Sequence, residues 1–155
     1  VQRILVSMGA GAAPPVRGLR PVAAVAPGVA AATGLSLQQL AAALVGQLRP
    51  AAVVCVDSLC SAEGQRLGRT VQFSDAGLYP AQADHTRHLT RDTLGVPVVA
   101  AGIPTLMQAQ EGADLVVTPR ALDSIIAHGA ALLAGSVNRA LQPCLTVQQL
   151  CWLTG

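Results

Sequence analysis

The sequence predicts an α/β protein, a mostly parallel sheet flanked by helices, held in a single domain over residues 1–155. Three observations predict it. Apolar runs of strand length (AAVVCVD at 51–57, TVQFSD at 70–75 and GVPVVAAG at 95–102) alternate with helical patterns, the order of a sheet wound with crossover helices. A length of 155 residues suits one core and is short for two. No repeat, heptad run or charged linker interrupts the alternation.

Composition narrows the class further. The chain is 52% hydrophobic and only 12% charged, against roughly 25% in ordinary soluble domains. So few charges predict burial against further chain or a second subunit. All ten basic residues are arginine, scattered along the chain, and the net charge is +2. A nucleic-acid binder would show a clustered basic face, so direct nucleic-acid binding is not expected. No signal peptide or membrane span is visible, and the four cysteines (55, 60, 144, 151) lack zinc-knuckle spacing. Cys55 in a strand and Cys151 in a helix read as buried thiols of an intracellular, cytoplasmic protein.

The chain opens on Val1, part-way into a short apolar run at 1–8 that reads as a strand, so material upstream is expected. Residues 9–18 are glycine- and proline-rich and read as a loop, and Pro27-Gly28 ends the next apolar run. Ser36 with Gln39 forms a capping box, and Leu37, Leu40, Leu44 and Leu48 repeat at helical spacing up to Pro50. Strand 51–57 follows, continuous enough to be buried on both faces. Ser58–Leu67 reads as a short crossover helix ended by Gly68, and TVQFSD as the next strand. Residues 76–93 form a long polar loop, usually a functional feature in a compact domain. GVPVVAAG is a strand, IPTLMQAQEG a loop with one helical turn, and LVV at 115–117 a short strand. Thr118-Pro119 starts a long helix with an apolar face through Leu122, Ile125, Ile126, Leu132, Leu133, Val137 and Leu141. Pro143 ends it, and Thr146 with Gln149 caps a last helix over 147–153.

Two carboxylates stand where chemistry is expected. Asp57 and Asp75 each close an apolar strand, and strand ends line the ligand crevice of an open α/β sheet. Partial desolvation there raises a carboxyl pKa toward a range useful for acid–base work, and two such groups sharing a proton can activate water. The opposing account is that Asp57 simply caps the helix after it. Asp84, His85 and His88 form a second cluster in the loop; H-x-x-H can hold a metal where the backbone turns, though a solvated loop explains it equally. His128 reads as a partly exposed helix residue. Cys60 has no histidine at a related position, and neither a nucleophile elbow nor a P-loop is present.

Several segments resemble one family in its order and spacing: RPVAAVAPGVAAATGL (20–35), RPAAVVCVDSLCS (49–61), RTVQFSDAGLYP (69–80), DTLGVPVVAAGIPTLM (92–107) and DLVVTPRALDSII (114–126). The chain is identified as a member of the germination proteases, endopeptidases that degrade small acid-soluble spore proteins. The resemblance implies a fold similar to the hydrogenase-maturation endopeptidases, synthesis as a zymogen, a homotetramer in the spore core, and an atypical two-aspartate mechanism without metal or other cofactor. It places catalysis on Asp75, within the S-D-x-G element, with Ser74 and Gly77 at the substrate and Asp57 as an active-site neighbour. The other family aspartate belongs to a T-P-D-A-L-G-type motif that residues 1–20 do not match, which implies an N-terminally incomplete member. Residues 81–89, AQADHTRHL, replace a glycine-rich basic family segment, and Ala62 stands where the family has arginine. The alternatives are a metal-dependent maturation-type peptidase using His85 and His88, or an inactive structural relative.

Overall fold

A nine-residue run without glycine or proline, VVCVDSLCS, makes the first strand. The computed structural model describes residues 4–6, 18–28, 34–79, 88–108 and 116–154. They fall in two compact units, one of residues 27–126 and one of residues 1–26 with 127–155. In the first, β1 (Val53–Ser61), β2 (Gln72–Ser74), β3 (Val98–Gln108) and β4 (Val116–Val117) form one sheet. β3 is its hub, pairing parallel with β1 and antiparallel with β2 and β4.

The protein is thus α/β with a mixed sheet flanked by helices, and the expected mostly parallel sheet is corrected. Connection length explains the difference. The ten residues 62–71 between β1 and β2 hold a single 3-10 turn, Gly64–Arg66, and are too few for a helical crossover. The Gly68 N–H donates to the Pro104 carbonyl (2.7 Å), tying that turn to β3.

Two segments differ from expectation together. Ser58–Ser61 was expected to enter a crossover helix and 103–108 a loop; both continue as strand. They pair with one another: Ser58 with Ile103, Leu59 with Pro104 and, past a register shift, Cys60 with Leu106 and Ser61 with Met107. Each extension satisfies backbone groups that the other would leave unpaired.

Helix α1 (Leu37–Leu48) forms as predicted. Ser36 Oγ accepts the Gln39 N–H (3.2 Å) and Gln39 Oε1 accepts the Ser36 N–H (2.9 Å), while Arg49 leaves the helix at φ +48° just before Pro50. The face it turns to the core shares only Leu37 with the leucine stripe. Leu37, Ala41 and Val45 pack on Cys55, Leu78, Leu89, Leu94, Val98 and Ala100, while Leu48 is half exposed. A one-turn helix α2 (Arg91–Leu94) lies inside the segment read as a loop, capped reciprocally by Thr90 and Thr93. The expectation of β1 buried on both faces is also corrected. Val54 and Val56 are 40% and 55% exposed, and on the same side of the sheet Phe73 is 64% exposed.

The second unit is organised by α3 (Leu122–Leu141), whose residues from 127 onward belong to it, and by α4 (Val147–Thr154). α3 starts three residues after the predicted Thr118-Pro119, beyond a turn in which Leu122 N–H donates to the Pro119 carbonyl (3.2 Å). Its buried residues are Gly129, Leu133, Ala134 and Asn138, while Ile126 and Leu132 of the predicted apolar face are exposed. The reason is what the helix holds. Asn138 Oδ1 accepts the Leu5 N–H (2.9 Å), and one turn on Gln142 accepts from Arg20 N–H (2.8 Å) and donates to the Arg20 carbonyl (2.9 Å). Side-chain amides at 138 and 142 here take the place of a neighbouring strand. Gln142→Leu should therefore lower stability by about 1–3 kcal/mol, the range for leaving partly buried polar groups unmatched. Urea unfolding, with faster hydrogen exchange at the Arg20 amide, checks this. Of the strand expected over 1–8, residues 4–6 are not in a strand and the rest lie outside the described residues. Among the described residues no helix is long and apolar enough to cross a membrane.

Candidate active site

Asp57 lies in the middle of β1, four residues before its end. Aspartate is disfavoured in strands, because its short side chain competes for backbone hydrogen bonds and leaves apolar surface uncovered. Here the Asp57 carboxylate accepts the N–H of Ser58 (2.8 Å) and is exposed. No helix follows it, so the helix-capping account of this residue is removed. Its register partner on β3 is Gly102.

Asp75 leaves β2 at its last residue, Ser74, and is likewise exposed. Ser74 Oγ accepts the N–H of Ala76 (3.2 Å), closing a tight turn around the aspartate. Gly77 is buried at φ +102°, a conformation that side chains resist. Leu78 then exchanges both backbone hydrogen bonds with Leu89 (2.8 and 3.1 Å), which holds these two residues side by side. Above that bridge the Tyr79 and His88 rings lie 5.0 Å apart and tilted by 59°.

The register decides how the two aspartates relate. Gln72 and Asp57 both pair with Gly102, on opposite sides of β3, and Ser74 pairs with Ala100. Two strand spacings of about 4.8 Å and three residues of about 3.3 Å put the Asp57 and Asp75 Cα atoms about 14 Å apart. Carboxylates that share a proton lie about 3 Å apart, so these two do not form such a pair with each other. Asp57 and Ser74 do share one face of the sheet, because their partners Gly102 and Ala100 are two residues apart.

The cysteines divide by environment. Cys55 is buried on that same face, and burial first, the Asp57 carboxylate second, push its thiol above the ordinary 9.0. Cys60, Cys144 and Cys151 are exposed, which corrects the expectation of a buried Cys151. A raised folded-state pKa favours the protonated form, so its contribution to stability is complete below 9.0 and is lost as pH rises past it. Unfolding titrations should show an alkaline loss of stability that Cys55→Ala removes. In the native protein a thiol reagent should label the other three cysteines first, and mass mapping reads the order.

His85 and Asp84 lie outside the described residues. Among the described residues no three His, Cys, Asp or Glu side chains gather as a metal set. An open groove of about 390 Å³ between α3 and α4 is lined by Leu132, Gly135, Val147, Leu150 and Cys151 among others, none of them a candidate site residue. Gly102 was missed in the sequence, where a lone glycine after an apolar run looked like a strand end.

Asp57 is thus held mid-strand in an α/β sheet, with Asp75 at a tight turn across the central strand. Comparison with known proteins gives the family: residues 14–111 match the family model of the germination proteases, so the chain belongs to the germination protease family. The germination protease of Clostridium perfringens is 29% identical over 180 residues, covering 85% of this chain and 55% of the relative. That of Halalkalibacterium halodurans is 36% identical over 113 residues, covering 72% and 29%, and that of Bacillus subtilis 33% over 129 residues, covering 81% and 34%. The chain spans about half or less of the length of these curated relatives.

Proposed function

We propose that the protein acts as an endopeptidase of the germination type, hydrolysing small acid-soluble spore proteins with aspartate carboxylates and no metal. The observation that carries the reading is Asp57, an acidic residue in the middle of an apolar strand where, among the described residues, neither a helix cap nor an ion pair accounts for it. One carboxylate takes a proton from water as the water oxygen attacks the scissile carbonyl. A second, protonated carboxyl group gives its proton to the leaving nitrogen as the C–N bond breaks. The resemblance puts the chemistry on Asp75, while the strand geometry gives Asp57 at least equal weight, since side chains on regular strands are held more firmly than those on turns. With about 14 Å between their Cα atoms, the partner acid for either one comes from elsewhere. The family's T-P-D-A-L-G-type element, which residues 1–155 do not contain, is the source that fits.

Ser74 and Gly77 would meet the substrate backbone beside this face. The same reading carries the family's hydrogenase-maturation-like architecture, zymogen synthesis, homotetramer and spore-core location. Its test is direct: the full-length protein is incubated with a purified small acid-soluble spore protein and the fragments are mapped by mass spectrometry, with and without chelator. Discrete internal cuts that survive chelation are expected. Intact substrate, or cutting abolished by chelator and restored by metal, rejects the reading.

A further inference from the structure

We infer that Gly102 is a positioning residue for Asp57: the absent side chain at 102 lets the Asp57 carbonyl close onto β3. This rests on the reading of Asp57 as a reacting carboxylate. Gly102 is buried and, like Ala100 and Ala101, is paired with β1 on one side of β3 and with β2 on the other. A Cβ placed on it would overlap the Asp57 carbonyl oxygen and lie 2.7 Å from Leu59 Cγ and 3.0 Å from Leu59 Cδ1. Glycine is required there for space, since the residue is not among those with positive φ.

The two neighbours respond differently to an added methyl. Leu59 can rotate its side chain away, but the Asp57 carbonyl moves only if the 57–58 peptide moves. That peptide also supplies the Ser58 N–H on which the Asp57 carboxylate rests (2.8 Å). One rigid group therefore carries both the contact with Gly102 and the hydrogen bond that aims the carboxylate. Displacing it re-aims the acid, and a misplacement of about 1 Å in a reacting group costs about 10²-fold in rate.

The test uses the full-length protein with a purified small acid-soluble spore protein. Gly102→Ala should lower kcat about 30–100-fold with KM kept within about threefold. Leu59→Ala alone should leave kcat unchanged and should not rescue Gly102→Ala when the two are combined. In an Asp57→Asn background Gly102→Ala should cause no further loss, because its effect runs through that carboxylate. Rescue by Leu59→Ala, an equal loss in the Asp57→Asn background, or an unchanged Gly102→Ala enzyme overturns the inference. So does failure of the combined variant to fold, which assigns Gly102 to the sheet itself. Normal kcat in Asp57→Asn alone would instead remove the reading of the site beneath it.

Discussion

Asp57→Asn is expected to lower kcat/KM on a small acid-soluble spore protein by at least about 10²-fold, the lower bound for losing a positioned acid–base group. The substitution keeps the size and the acceptor oxygen that meets the Ser58 N–H, and the side chain is exposed, so the fold should be retained. What it removes is the capacity to take or give a proton. Asp75→Asn, made beside it, divides the assignment. Its side chain follows a tight turn held by Ser74 and Ala76, and loss of a reacting carboxylate there would give a fall of the same size. A large loss in one variant and a change of less than about threefold in the other names the reacting residue. Normal rates in both variants would remove the aspartate mechanism from this chain.

Gly77→Ala should produce the largest loss of stability of any single methyl added near the site. At φ +102° the backbone conformation alone costs a non-glycine residue about 1–3 kcal/mol. The new Cβ would also overlap the Leu89 carbonyl oxygen and approach the Thr90 Cα at 3.0 Å, and both belong to backbone that cannot rotate away. The bridge between Leu78 and Leu89 should open, and with it the Tyr79–His88 ring contact. A lowered unfolding midpoint with accelerated hydrogen exchange at the Leu78 and Leu89 amides checks this. If Ser74 and Gly77 meet the substrate, KM should rise as well. A Gly77→Ala protein as stable as its parent, with both amides still protected, would show that the bridge does not depend on the glycine.

Local features were legible because they depend on a few adjacent residues. Both sequence-read capping boxes, at Ser36 and Thr146, form with the partners that their spacing names. The short strand at Val116–Val117 and the helix ends before Pro50 and Pro143 follow from the same kind of signal. The Thr90 cap leaves no such signal, because its partner is Thr93, not the Glu or Gln of a capping box, and its helix is a single turn.

By itself the sequence determined the α/β class, the apolar runs that become strands, and a family likeness strong enough to point to two aspartates. Tertiary structure decided what those runs do. Residues 58–61 and 103–108 are ambiguous alone, and each is strand because the other lies beside it. That same pairing put Asp57 in the middle of a strand opposite Gly102, where the sequence places it at a strand end, and put β3 between it and Asp75. Hydrogen-bond partners that are far apart in the chain leave no mark in either segment separately, so only the folded sheet could set the distance between the two acids.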